Sequence, residues 1–208
     1  MRSILHPVRH LARRTIAIIA ASAAIMAGLT AYGLTTASAA PRYTAKTFTF
    51  KLLASPGIAK CLPKARGQAW ITTHPLNDTM KVQLWGMPAG ADFDLFVIQY
   101  PNKPFGVSWY QSDIHAGGNG SGTATVQGIF DKETFSVSPG GTVTFKPTHQ
   151  FHLGVWFNDP GLPFKLGCEP GQKAPVVTPF NGEQHAGIQV VNTGNFPNNA
   201  GPLSKVTR

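Results

Sequence analysis

An all-β fold is predicted for this chain from Arg42 onward: a single-domain antiparallel β-sandwich, Ig-like or jelly-roll-like, with long Pro/Gly-rich loops. Two observations predict it. No long segment after Arg42 carries the apolar stripe of an amphipathic helix. In its place stand short runs rich in Val, Ile, Phe, Thr and Trp, divided by Gly, Pro and Asn. β-Branched and aromatic side chains suit a pleated, half-buried surface, and the dividers are turn formers. Many short strands at this spacing favour a sandwich over a parallel α/β fold.

The elements follow in order. A first strand is placed at 43–53 and a second at 67–74, where Ala69 and Ile71 share one face and Trp70 lies with Gln68, Thr72 and His74 on the other. Pro75-Leu76-Asn77-Asp78 has turn chemistry and leads into 79–86. There Met80, Val82 and Leu84 make the apolar face, with Trp85 beside Lys81 and Gln83. Pro88-Ala89-Gly90 divides that strand from 93–100. In 107–115, alternation puts Trp109 with Gln111 and Asp113. The Gly-rich connection 117–122 precedes a strand at 122–130, and Pro139-Gly140-Gly141 separates strands at 133–138 and 142–146. In 150–157, Phe151, Leu153, Val155 and Phe157 face inward, leaving Trp156 beside His152 and Gly154. A last strand at 186–192 stands between 158–185 and 193–208, irregular segments rich in Pro, Gly and Asn. Loops of that length are functional or drape over the domain. No internal repeat is visible.

The stretch from Trp85 through Gly86-Met87-Pro88-Ala89-Gly90-Ala91-Asp92-Phe93-Asp94-Leu95-Phe96-Val97-Ile98, followed by the Gly-rich turn and Gly122-Thr123-Ala124-Thr125-Val126-Gln127-Gly128-Ile129-Phe130, has a recognisable pattern. Together with the Ala-rich start of the chain, it resembles uncharacterised secreted β-sandwich proteins of Gram-positive-type bacteria. The resemblance covers residues 67–138 and implies an exported β domain. It transfers no functional residue.

Residues 1–39 read as an export signal. Arg2, Arg9, Arg13 and Arg14 form a basic start without an acid, an apolar run extends from Thr15 to Leu34, and Ala37-Ser38-Ala39 supplies a small-residue cleavage site. The run is long enough to serve as an uncleaved membrane span, but Ala, Ser, Thr and Gly dilute it and it ends at the A-x-A site, so cleavage before Ala40 is the expectation. The released domain, 40–208, is then secreted, monomeric and without a membrane anchor. The signal's four arginines account for four of the nine net positive charges. The remaining basic residues, among them Lys46, Lys60, Lys81, Lys103, Lys146 and Lys165, do not cluster along the chain, which argues against a nucleic-acid partner. Cys61 and Cys168 are the only cysteines, and in an oxidising compartment such a pair forms a disulfide. No CxxC or Cys/His spacing accompanies either one, so a metal site built on them is disfavoured.

All four tryptophans fall on the more polar side of their strands by this register. Either the long loops cover that side as a second small core, or the rings form an aromatic platform for sugar rings, with polar neighbours supplying hydrogen bonds. The platform reading nominates Trp70, Trp85, Trp109 and Trp156, with His74, Gln111 and Asp113, as binding residues for a carbohydrate or cell-envelope ligand. No catalytic residue, metal or cofactor is assigned. His149 and His152 point to opposite faces of a strand, and a site from His74, His115 and His152 would have to assemble across strands. The pairs Asp92/Asp94 and Asp131/Glu133 flank turns, where Asp commonly bonds the local backbone. The alternatives to a binding module are a secreted hydrolase using Asp94, Asp113 and a histidine, and a structural or interaction module with no small ligand.

Overall fold

Alternation of side chains decides which face of each strand is buried, and the pairing that results wraps one sheet round a core. The computed structural model describes residues 43–130, 137–138, 141–142, 151–179 and 185–206. The export signal read at 1–39, the Asp131/Glu133 pair, His149 and most of the strands expected at 133–138 and 142–146 lie outside the described residues.

The elements are β1 (Thr47–Ala54), α1 (Ile58–Cys61), β2 (Arg66–Thr72), β3 (Asp78–Trp85), β4 (Asp92–Ile98), β5 (Ser108–His115), β6 (Gly122–Gly128), β7 (Val137–Ser138), β8 (Gly141–Thr142), β9 (His152–Phe157), α2 (Gly161–Lys165), β10 (Gln189–Asn192) and a 3₁₀ turn at Pro202–Lys205. Eight strands form one antiparallel sheet in the order β5-β4-β9-β10-β1-β2-β3-β6, and β7 and β8 pair separately. The all-β class read from the sequence is therefore the class observed.

The sheet bends into two four-stranded halves, β6-β3-β2-β1 and β10-β9-β4-β5. Its end strands β5 and β6 lie against each other, so the wrap is nearly closed. Gly122 permits the approach: a Cβ there would sit 2.5 Å from the His115 carbonyl oxygen. The opposite junction, β1 with β10, is thin, with two register pairs, Leu53↔Asn192 and Ala54↔Val191. The inward sets predicted for β2, β3 and β9 are all buried, and Ile71, Met80, Val82, Leu84, Leu153 and Val155 meet Phe93, Leu95 and Ile114 in a continuous core. Burying chains of this size stabilises by roughly 1.5–3 kcal/mol each.

Cys61, at the end of α1, and Cys168, just after α2, form a disulfide across a sequence separation of 107. Cys61 lies between β1 and β2 and Cys168 follows β9, so the bridge ties together the two halves of the sheet that the thin β1–β10 junction joins. It also anchors the segment after β9 at Cys168.

Two expectations fail for physical reasons. Trp109 does not share a face with Asp113. The β4–β5 register passes from Leu95↔Ser112 to Phe96↔Tyr110, so Gln111 is an extra residue in a β-bulge. An odd insertion reverses the face of everything beyond it. Trp109 therefore turns toward the interior and packs edge-on to Phe151, with ring centroids 6.0 Å apart. Asp94 does not flank a turn either; it sits inside β4 and is 1% exposed.

Candidate functional site

Each half of the sheet has an outer face, and the two faces differ. On the β4-β5-β9-β10 side, aromatic side chains build a second small core. Trp156 is buried there, edge-on to Phe96 at 5.4 Å and to Phe105 at 5.1 Å, with Ile98 and Ala186 beside it. Phe105 reaches this position from a loop where its φ is +59°, a left-handed conformation rare for a side chain of its bulk. Covering by loops, the bland reading of the tryptophans, is thus what happens to Trp156.

A polar row crosses the same face through the register pairs Asp113↔Asp94↔Trp156↔Gln189. Asp94 Oδ1 accepts a hydrogen bond from Asn158 Nδ2 at 2.8 Å, while Asp94 Oδ2, Trp156 Nε1 and Gln189 Nε2 are buried with no hydrogen-bond partner among the described residues. Burial pushes the Asp94 carboxyl up to about 6, with Asp113 adding to the rise and the Asn158 bond opposing it. Burial, with Asp113 again contributing, also pushes the Tyr110 hydroxyl up to about 12. One rung along, His115 Nδ1 lies 2.8 Å from Asp92 Oδ1, both side chains being exposed. The carboxylates and histidine of the hydrolase alternative are therefore neighbours, but the carboxyl with the raised pKa is the one sealed from solvent.

His152 is fully buried on β9. Its Nδ1 is 3.0 Å from Thr193 Oγ1 and its Nε2 3.3 Å from the Asn198 carbonyl oxygen. Burial lowers its pKa, so it is a neutral structural residue. His74 follows β2, and its backbone N–H donates to Asp78 Oδ1 at 3.3 Å. His74, His115 and His152 are not gathered, and among the described residues no group of three or more His, Cys, Asp or Glu could hold a metal ion. A cavity of about 300 Å³ lies at the end of β1 and β2 nearest His74, lined by Tyr43, Lys46, Phe48, Thr73 and Lys205 among others.

The β1-β2-β3-β6 face is the open one. Arg66, Gln68, Trp70 and Thr72 point outward from β2; Thr79, Lys81, Gln83 and Trp85 do so from β3. The outward residues of the flanking strands, such as Thr49 and Lys51 on β1 and Thr123 and Thr125 on β6, are exposed, so no described segment lies over this surface. Trp70 and Trp85 are half-buried in it. Strand pairing sets Lys81 opposite Trp70 and Arg66 opposite Trp85. Lys81 Nζ sits 5.5 Å from the Trp70 ring centre, and the Arg66 guanidinium carbon 5.6 Å from that of Trp85. At exposed sites each such contact stabilises by about 0.5–1 kcal/mol, small enough for a ligand to exchange it.

Of the seven residues predicted to bind, the structure brings two, Trp70 and Trp85, together on one open face. Trp109 faces inward, Trp156 is covered, His74 lies beyond the end of β2, and Gln111 and Asp113 are on β5 in the other half. Gln111 is the bulge residue, and its Nε2 donates to the Trp109 carbonyl oxygen at 3.3 Å. What sequence reasoning missed is Arg66, Gln68, Lys81 and Gln83. The signal was there: Arg66-Gly67-Gln68-Ala69-Trp70 and Lys81-Val82-Gln83-Leu84-Trp85 are the same basic-x-Gln-x-Trp pattern.

Compared with known proteins, no family model matches the chain and no curated protein sequence is significantly similar to it. Among the described residues no helix is long and apolar enough to cross a membrane.

Proposed function

We propose that this chain is an exported binding module, a monomeric β-sandwich of the Ig-like or jelly-roll-like kind that holds a carbohydrate of the cell envelope or its surroundings across Trp70 and Trp85. The observation that carries this reading is two half-buried indoles on one sheet face that no described segment covers, with the amides of Gln68 and Gln83 between them. Indole faces stack on the C–H faces of sugar rings, and amides fix the hydroxyls. Export is supported by the composition of residues 1–39 and by a disulfide, which persists outside the cytosol. A monomer is supported by the approach of β5 to β6, which leaves little free edge to pair with another chain.

A second reading, hydrolysis at the Asp94–Asp113 rung, has the raised Asp94 pKa in its favour and the burial of that carboxyl against it. Binding to insoluble cell-wall polysaccharide separates the two. Trp70→Ala and Trp85→Ala are each expected to weaken retention about tenfold. Tyr110→Ala, an exposed position on the other outer face, is expected to leave it unchanged. Wild-type retention no greater than that of the double tryptophan variant would overturn the reading.

A further inference from the structure

The open face has a charge pattern that names its ligand more closely. Its outward positions on β1, β2, β3 and β6 include Lys51, Arg66 and Lys81 and no Asp or Glu. The acids described in strands lie elsewhere: Asp92, Asp94 and Asp113 are in the other half, and Asp78 is buried at the start of β3. Cations scattered along the sequence are thus collected by strand pairing, with Lys51 next to Gln68 and Gln68 opposite Gln83.

The pattern is also symmetric. In an antiparallel pair, a local two-fold axis passes between directly opposed residues. Here it passes between Gln68 and Gln83, and it carries Trp70 onto Trp85 and Arg66 onto Lys81. Each half-site therefore holds one indole with one cation against its ring. Four residues of strand rise and one interstrand step put the two indole-bearing Cα atoms roughly 14 Å apart.

Resting on the proposed carbohydrate reading, we infer that the ligand is a linear polysaccharide of uronic acids, whose units each carry a ring to stack on Trp70 or Trp85 and a carboxylate to draw Lys81 or Arg66 off that ring. The pairing of one ring with one charge decides the class. A neutral glycan leaves both cations without a counter-ion, and a glycerol-phosphate polymer offers charge without a pyranose ring in its backbone. Because the two half-sites repeat one indole and one cation, the chain is gripped at two points by similar chemistry.

Binding of polygalacturonate and alginate, each compared with its uncharged methyl ester at low and high NaCl, tests this. The free acids are expected to bind about tenfold tighter than the esters at low salt, an advantage that shrinks as salt screens the exposed cations. Arg66→Gln and Lys81→Gln are each expected to remove about a threefold share of that preference, and together to abolish it. Both positions are exposed, and a melting curve confirms folding of the variants. Trp70→Ala and Trp85→Ala are each expected to weaken binding of both acid and ester. Equal affinity for acid and ester would overturn the uronate inference while leaving the carbohydrate reading in place. Polyglycerol phosphate binding as tightly as polygalacturonate would overturn the ring-borne charge. Binding to none of these nor to neutral cell-wall glycans would remove the carbohydrate reading itself.

Discussion

Reducing the Cys61–Cys168 disulfide is expected to lower the unfolding free energy by about 4–5 kcal/mol, the chain-entropy value for a loop of this length. The separation of 107 residues places this bridge among the longer loops, where the constraint on the unfolded chain is largest. Its position suggests which part yields first. β1 and β10 share two register pairs, supplemented by Ser55 N–H to the Val190 carbonyl at 3.0 Å and Ser55 Oγ to Gln189 Oε1 at 2.9 Å. Every other junction of the sheet that leads to β1 or β4 is longer: β1–β2 has seven register pairs and β4–β9 six. With the clamp gone, the β1–β10 seam opens before the meander β1-β2-β3 does. Hydrogen exchange in the reduced protein is therefore expected to accelerate first at Val190, Val191 and Ser55, alongside a fall in melting temperature on the order of 10 °C. A change below 1 kcal/mol, or uniform acceleration across all strands, would show that the bridge does not hold the seam.

Asp94→Asn is expected to stabilise the domain, and to do so only above acid pH. The sign follows from the raised carboxyl. Below the unfolded-state value of 3.8, folded and unfolded chains both carry the proton and the group costs nothing. Between 3.8 and about 6 the unfolded chain releases its proton while the folded chain retains it, so the cost grows with pH and is complete above about 6. At roughly 1.4 kcal/mol per unit, the shift corresponds to roughly 3 kcal/mol at pH 7–8. Asparagine keeps a carbonyl to accept from Asn158 and brings an N–H₂ toward the Asp113 side of the row in place of a buried charge. His152 contributes the opposite trend. Its lowered pKa means that the unfolded chain takes up a proton more readily as pH falls through about 6.5, which destabilises the fold there. The quantity to measure is therefore the difference between variant and wild type at each pH, in which the His152 effect cancels. A difference that is large at pH 8 and absent by about pH 3 is expected; a variant less stable than wild type at pH 8 would contradict this sign.

Strands and turns were legible in the sequence because short-range chemistry decides them. Pro75-Leu76-Asn77-Asp78 and Pro88-Ala89-Gly90 divide strands in the structure as read, and the inward sets of β2, β3 and β9 follow simple alternation. The disulfide was legible from count and compartment. Trp109 was not, because a bulge leaves no strong local mark and one extra residue, Gln111, inverts the register beyond it. The fate of Trp156 depends on Phe105 and Ala186, which reach it from loops far away in the chain. The paired basic-x-Gln-x-Trp pattern was readable as letters. Its meaning needed the β2–β3 register, since only antiparallel pairing turns two copies into a two-fold arrangement with each cation on the other strand's indole.

On the proposed reading, ligand is taken on the β1-β2-β3-β6 face. The indole N–H signals of ¹⁵N-labelled protein, assigned by single Trp→Phe variants, test it during titration with solubilised neutral and acidic cell-wall polysaccharide. The Trp70 and Trp85 signals are expected to shift together while those of Trp109 and Trp156 stay fixed. Shifts confined to Trp109 or Trp156, or four unmoved indoles at saturating glycan, would contradict it.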